Sequence, residues 1–136
     1  MNKEELIAFI ESLNLPVEEY YILSSGCLVL YGLRDVAGDL DICVTPKLGK
    51  ELMARYKIAE DCHNEANFYH VNDKFEFVIN DKLVYDKLGK YQVQKLEDIV
   101  KFKKLRQKKR DMEDVANIEK YWSKKNSKER GLKWII

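Results

Sequence analysis

Two aspartates separated by a single residue are the first side chains in this sequence whose type and spacing suggest chemistry; they lie in the segment LSSGCLVLYGLRDVAGDLDICV, residues 23–44. Residues 40–44 predict a buried strand, and alternation along a strand places Asp39 and Asp41 on one face with Cα atoms about 6.6–6.8 Å apart. Two ionised carboxylates so close repel unless a cation lies between them, and Mg²⁺ is often held by carboxylates together with phosphates. The pair therefore predicts a metal site. The simpler alternative is that Asp39 ends a turn and Asp41 lies on a solvated face.

Small residues precede the aspartates, where a predicted strand (residues 20–23) gives way to a short helix. The free N–H groups at a helix start form a site that suits phosphate. Ser24, Ser25 and Gly26 allow a ligand to approach the backbone closely, and the serine hydroxyls add hydrogen-bond donors. A phosphate-binding turn followed closely by a metal-binding strand is an arrangement suited to nucleotides.

Taken together, these residues resemble the signature of the nucleotidyltransferase superfamily with the polymerase-beta-like fold. The resemblance is to the small bacterial branch that includes abortive-infection type toxins and the lincosamide and aminoglycoside nucleotidyltransferases. Ser24 and Ser25 match the Gly-Gly or Gly-Ser turn of the signature, a Gly-Leu-Arg element ends at Arg34, and Asp39 and Asp41 match the metal-binding pair. Ser24 departs from the usual glycine and adds a Cβ where the triphosphate would lie.

The resemblance implies a Mg²⁺-dependent enzyme that moves a nucleoside monophosphate from a nucleoside triphosphate to an acceptor hydroxyl. Two Mg²⁺ ions would be held by Asp39, Asp41 and a third acidic residue on a later strand. Glu76 fits that third position, because its neighbours Phe75 and Phe77 face the other way; the alternative is an exposed strand glutamate. The acceptor, whether a small molecule, a protein or a tRNA, is not indicated by the sequence.

The resemblance also implies which residues would bind the nucleotide phosphates. The C-terminal segment is more weakly similar to the helical ending of the abortive-infection type branch, in which a lysine precedes an Asp-x-x-Asp element. In this chain Arg110, Asp111 and Asp114 more simply hold the turn between the two helices and cap it. The expected phosphate contacts are Ser24, Ser25, Gly26, Arg34, and Lys103 or Lys104. The alternative function is a non-catalytic nucleotide-binding or antitoxin-like partner protein of the same fold.

Charge is divided unevenly along the chain. Residues 1–100 carry 11 basic and 18 acidic side chains, whereas residues 101–136 carry 13 basic and 5 acidic ones. Such asymmetry indicates either a nucleic-acid surface or a basic helical tail that docks on an acidic body. The basic run 101–110 is thus either an RNA contact or a solvated helix face that buries Phe102 and Leu105 while its lysines stay wet.

The predicted helices and strands that must position these residues indicate an α+β protein. We expect a small mixed sheet flanked by helices, followed by a helical C-terminal part. A chain of 136 residues suits a single domain, with a core of about residues 1–94 and helices over about 95–136. Strands are predicted at 20–23, 40–44, 67–71 and 75–79, and less clearly at 83–85 and 91–93. The C-terminal helices have seven predicted buried positions, Leu96, Ile99, Leu105, Met112, Val115, Ile118 and Trp122.

Several classes of protein are disfavoured by the sequence. Three cysteines without CxxC spacing suggest neither a disulfide framework nor a zinc site. No apolar stretch reaches the roughly 20 residues that span a bilayer, and the N-terminus reads as an amphipathic helix instead of a signal peptide. We therefore expect a cytoplasmic bacterial protein without membrane contact, and a chain this short could form a homodimer to complete its site.

Overall fold

The computed structural model describes the backbone of residues 1–135 and the side chains of residues 1–126. The chain divides into two compact units, Met1–Lys95 and Leu96–Ile136. The first unit contains a six-stranded mixed sheet with three helices, and two further helices form the second. The predicted α+β class with a mixed sheet is confirmed at this level.

The first unit alternates helices and strands along the chain. Its elements are α1 (Lys3–Leu13), a 3-10 helix (Val17–Glu19), β1 (Tyr20–Ile22), α2 (Ser24–Tyr31), β2 (Leu40–Val44), α3 (Pro46–Tyr56), β3 (Phe68–Asn72), β4 (Phe75–Ile79), β5 (Asp86–Leu88) and β6 (Tyr91–Val93). The strands lie in the order β3-β4-β2-β1-β6-β5. β2 runs parallel to β4 and β1 parallel to β6, and the other neighbouring pairs are antiparallel.

Local capping signals explain where the helices of this unit begin and end. Asn2 caps α1 in a reciprocal capping box with Glu5. α2 ends at Gly32, whose φ of 75° is left-handed and suits glycine. Thr45 caps α3, with Pro46 in its first turn. These signals act over only a few residues, so the helix boundaries that they set depend on the local sequence.

Alternation along the central strands separates an apolar face from an acidic face. Leu40, Ile42 and Phe77 are buried on the face that packs against α2 and α3. Asp41 and Glu76 lie between these residues along their strands, so they project from the opposite face. The hydrophobic core therefore sets the direction in which the carboxylates point.

One predicted strand position is wrong. Residues 83–85 are not in a strand; β5 begins at Asp86 and pairs with β6. Leu88 lies opposite Tyr91, so only Gly89 and Lys90 form the turn, and Gly89 adopts a φ of 61°. This tight turn sets the pairing register, and the strand therefore lies nearer to the turn than its apolar residues suggested.

Replacing Gly26 with alanine is expected to lower the free energy of unfolding by about 1–3 kcal/mol. A Cβ at this position would lie 2.9 Å from Cγ2 of Ile22, which is fully buried and β-branched and so has little freedom to move. Gly38→Ala is the matched control, since a Cβ there would meet nothing within 4 Å. Urea unfolding of the two variants measures the difference, and equal stabilities would contradict the close packing of α2 on β1.

The second unit consists of α4 (Leu96–Arg106) and α5 (Lys109–Ile135). The predicted burial of Leu96, Ile99, Val115 and Ile118 is confirmed, and Trp122 is half-buried. The predicted burial of Leu105 and Met112 is wrong, because these side chains are 87% and 46% exposed. None of the described helices has the length and apolar character needed to cross a membrane.

The position of Lys103 explains the exposure of Leu105. The inward stripe of α4 is Leu96, Ile99, Val100 and Lys103. At 3.6 residues per turn, Leu105 lies on the side of the helix opposite this stripe. The last buried position of α4 is therefore Lys103, whereas the sequence predicted that Leu105 would be buried.

Candidate active site

The structure brings the three predicted acidic residues together on one face of the sheet. Asp41 on β2 and Glu76 on β4 are direct partners in the parallel pairing of these strands, and Asp39 immediately precedes β2. All three side chains are half-buried. We call Asp39, Asp41 and Glu76 the acidic cluster.

Burial and mutual repulsion raise the pKa values of both aspartates in the acidic cluster. The pKa of Asp41 rises to about 7, first because the carboxyl group is removed from water and then because of the charges of Asp39 and Glu76. The pKa of Asp39 is raised by burial and by Glu76, whereas the cations of Arg34 and Lys74 oppose that rise. A cation bound at this place would exchange for the proton that Asp41 retains near neutral pH.

One carboxylate oxygen of the acidic cluster is buried without a hydrogen-bond partner among the described residues. This oxygen is the Oδ1 atom of Asp41. Buried polar atoms in proteins are almost always paired, so this oxygen suits a water molecule or a cation. In the described part of the chain, no three His, Cys, Asp or Glu side chains lie close enough to hold one metal ion. The donor set therefore fits a hard cation, but it is not arranged as a complete coordination shell.

The start of α2 lies directly beside Asp41. The amide of Leu23, the residue that precedes α2, donates a hydrogen bond of 2.9 Å to the backbone carbonyl of Asp41. The next amide, that of Ser24, donates a 2.8 Å hydrogen bond to Oε1 of Gln94. The amides of Ser25 and Gly26 donate to no other described residue. Within the described residues, two N–H groups at the start of α2 thus have no acceptor, and their contacts with phosphate stay predictions.

Ser24 adopts a φ of 44°, in the left-handed region that favours glycine. This is the position at which the resembled signature has glycine. Ser24→Gly is expected to raise the free energy of unfolding by about 0.5–1 kcal/mol, because glycine lacks the Cβ that makes this conformation unfavourable. Ser25→Gly is the control, since Ser25 is not at positive φ and there glycine only weakens the helix. Thermal melts of both variants compare the two effects, and a destabilised Ser24→Gly would contradict the strain.

Gly26 and Arg34 each have a structural role within the first unit. The missing Cβ of Gly26 makes room for Ile22, so any nucleotide contact would come from its amide. Nε of Arg34 donates a 2.9 Å hydrogen bond to the carbonyl of Val36, and its charge acts on Asp39. Contacts of either residue with phosphate stay predictions.

Lys103 and Lys104 belong to the second unit, where both have carboxylate partners. Nζ of Lys103 lies 3.3 Å from Asp111 and 2.9 Å from Asp114, and the three side chains are almost fully buried. Asp111 also accepts a hydrogen bond from the Lys108 amide, as expected of a residue that holds the interhelix turn. Nζ of Lys104 lies 3.4 Å from Glu119. A phosphate contact by either lysine stays a prediction, and it would compete with these ion pairs.

Sequence reasoning missed two residues that contact predicted site residues, His70 at Glu76 and Gln94 at Ser24. Nδ1 of His70 lies 3.1 Å from Oε1 of Glu76, and the two residues are partners in the β3–β4 hairpin. The predicted strands at 67–71 and 75–79 contained a signal for this contact, because a hairpin whose turn is residues 72–74 places residue 70 opposite residue 76. Gln94 had no such signal, since it reaches Ser24 from 70 residues away in sequence.

Three carboxyl groups on one face of the sheet thus lie beside the start of α2, where two amides donate to no other described residue. This arrangement can hold a cation and bind an anion next to that cation. Comparison of the chain with protein-family models, with curated proteins and with solved structures finds no match.

Proposed function

We propose that this chain is a Mg²⁺-dependent nucleotidyltransferase with a polymerase-beta-like fold, acting in the cytoplasm. It would transfer a nucleoside monophosphate from a nucleoside triphosphate to an acceptor hydroxyl. The observation that carries the proposal is the buried Oδ1 of Asp41, which has no hydrogen-bond partner among the described residues and belongs to a carboxyl group beside Asp39, Glu76 and the start of α2. An oxygen that lacks a protein partner at such a place suits a metal ion that is itself bound to phosphate.

Asp39 and Asp41 would hold the metal ions, with Glu76 as the third ligand. Bound Mg²⁺, as two ions, would neutralise the phosphates and stabilise the charge that develops as pyrophosphate leaves. The amides of Ser25 and Gly26 would bind phosphate oxygens, with the serine hydroxyls as additional donors. Arg34 contributes positive charge beside Asp39.

Glu76 would also serve as the general base that receives the proton of the acceptor hydroxyl. It is less enclosed than Asp41, with 29% of its side chain exposed, so an acceptor can reach it from solvent. The hydrogen bond from His70 holds one carboxylate oxygen in place and leaves the other for a metal ion or for the proton. Positioning and charge neutralisation account for most of the catalysis expected in such a reaction, because the protein forms no covalent bond with the nucleotide.

The strand arrangement supports the proposed fold. β1, α2 and β2 follow one another in sequence, and β1 is antiparallel to β2. The start of α2 and the aspartates at the start of β2 therefore lie at the same end of these strands. The parallel β2–β4 pair then adds Glu76 next to Asp41. This combination gives a nucleotide its two requirements, a phosphate site and a metal site, from adjacent strands.

A non-catalytic nucleotide-binding or antitoxin-like partner protein of the same fold is the second candidate. The specific observation in its favour is the hydrogen bond from the Ser24 amide to Gln94, which occupies one amide at the start of α2 and leaves only those of Ser25 and Gly26 for phosphate. Titration calorimetry with ATP and Mg²⁺, followed by a pyrophosphate-release assay, separates the two functions. Binding without release supports the second candidate.

The decisive experiment incubates the purified protein with each α-labelled nucleoside triphosphate, Mg²⁺ and cell extract, and follows transfer of label to an acceptor. The expected result is one labelled species that disappears in Asp41→Asn and persists in Asp35→Asn. Asp35 is exposed and lies in the same segment, so its variant controls for the loss of one negative charge. If no nucleotide yields label or pyrophosphate, the transferase proposal is wrong.

A further inference from the structure

We propose that the corner between α4 and α5, residues 101–112, binds single-stranded nucleic acid, with a base stacking on Phe102. This inference does not depend on the function proposed for the first unit. It rests on the exposure of apolar side chains, the unpaired cations and the support of the Phe102 ring, all within the second unit.

The exposed apolar side chains exclude the simplest explanation of the basic run. A solvated amphipathic helix would bury Phe102 and Leu105 and leave only the lysines in water. Instead, Phe102 is 53% exposed and Leu105 is 87% exposed. These residues lie one helical turn apart on α4, so they form a continuous apolar strip in a strongly basic surface.

Four basic side chains of the run 101–110 form no ion pair with any carboxylate that the structure describes. Three basic side chains of the run have carboxylate partners in Asp111, Asp114 or Glu119. The remaining basic side chains have no carboxylate partner among the described residues, namely Lys101, Lys108, Lys109 and Arg110. Uncompensated positive charge of this density attracts a polyanion.

The support of the Phe102 ring favours nucleic acid over an acidic protein. The guanidinium of Arg106 lies over the ring, 5.0 Å from its centroid. Asp111 holds this guanidinium through two bonds, to Nε at 2.8 Å and to Nη2 at 2.6 Å. The ring thus already packs against a guanidinium that is bonded to Asp111, which reduces the rotamer freedom that the ring would lose when a base stacks on it. A fixed aromatic ring among free cations is the usual way in which proteins bind single strands without sequence preference.

Fluorescence polarisation with labelled oligouridine and oligodeoxythymidine tests the proposal over a range of salt concentrations. We expect the logarithm of the affinity to fall linearly with the logarithm of the salt concentration, by about 0.7 for each phosphate contacted. Phe102→Leu keeps an apolar side chain but removes stacking, so it should weaken binding about tenfold and leave the salt slope unchanged. Equal affinity for the two probes assigns the surface to single strands in general, and a preference for oligouridine assigns it to RNA.

The charge contribution is tested by a paired double variant. Lys108→Gln with Lys109→Gln should reduce the salt slope, whereas Lys47→Gln with Lys50→Gln, on exposed positions of α3, should leave it unchanged. Circular dichroism confirms that each variant is folded. The proposal is overturned if neither probe binds at low salt, if Phe102→Leu binds as tightly as the native chain, or if polyglutamate displaces the probe as well as unlabelled oligouridine does. The last result would assign the corner to an acidic protein.

Discussion

Asp41→Asn is expected to lose at least about 100-fold of any Mg²⁺-dependent nucleotide transfer and yet to be more stable than the native protein at about pH 8. Activity falls because the substitution removes the carboxylate whose buried oxygen would contact the metal ion. Stability rises because asparagine carries no charge beside Asp39 and Glu76. A variant that becomes inactive while gaining stability has lost a functional group instead of a structural one.

The pH dependence of stability follows from the direction of the Asp41 shift. Its pKa is raised from 3.8 to about 7 in the folded chain, so the unfolded chain releases this proton first as pH rises. The stabilisation provided by the protonated carboxyl is fully present below about pH 4, declines between pH 4 and 7, and is absent above. After allowance for partial exposure of the group, we expect a loss of about 1–2 kcal/mol over this window.

Thermal melts at several pH values measure this effect. The native chain should melt roughly 3–8 °C lower at about pH 8 than Asp41→Asn, and the two should converge at about pH 4. Mg²⁺ should raise the melting temperature of the native chain at the higher pH and leave that of Asp41→Asn unchanged, since binding to the folded state alone stabilises it. Asp35→Asn should behave as the native chain does. Full transfer activity in Asp41→Asn would refute the assignment of the acidic cluster.

Lys103→Met is expected to destabilise the protein by about 3–5 kcal/mol. Lys103, Asp111 and Asp114 are all at least 96% buried, and Nζ of the lysine lies within 3.3 Å of both carboxylates. Methionine fills nearly the same space but leaves Asp114 without this buried cation, and a buried carboxylate without a counter-charge is costly. Chemical unfolding of the full chain, followed by circular dichroism, measures the loss.

Lys104→Met is the matched control for the buried lysine. Lys104 lies on the same helix with 56% of its side chain exposed, and its ion pair with Glu119 lies at the surface. Its loss should change stability by less than about 1 kcal/mol. If the two variants are equally stable, the buried ion pairs do not hold the helical pair together. If Lys103→Met instead keeps its stability but loses ATP affinity, the lysine is a phosphate contact, as the family resemblance implied.

Local patterns in the sequence determined the helices of the first unit and the face on which its acidic residues lie. Capping by Asn2 and Thr45 and termination at Gly32 depend on hydrogen bonds and steric effects within a few residues. Alternation along a strand likewise needs no distant partner, so apolar Ile42 and Phe77 were enough to place the carboxylates opposite the core. The strand order was not predictable in this way.

The tertiary structure alone decided which of these residues meet. Strand pairing depends on the apolar area that whole strands bury together, and so only the folded sheet sets Glu76 beside Asp41. The same long-range packing buries Oδ1 of Asp41 and brings Gln94 to the Ser24 amide.

In the second unit, helical periodicity predicted buried positions but not which of them would be charged. Lys103 turns inward because Asp111 and Asp114 on the neighbouring helix neutralise it, and Leu105 is then exposed. Periodicity thus determined where the faces of each element lie. The pairing of charges on different helices determined whether a buried position of a face holds an apolar or a charged side chain. Only a partner from another element can offset the cost of removing a buried ion from water.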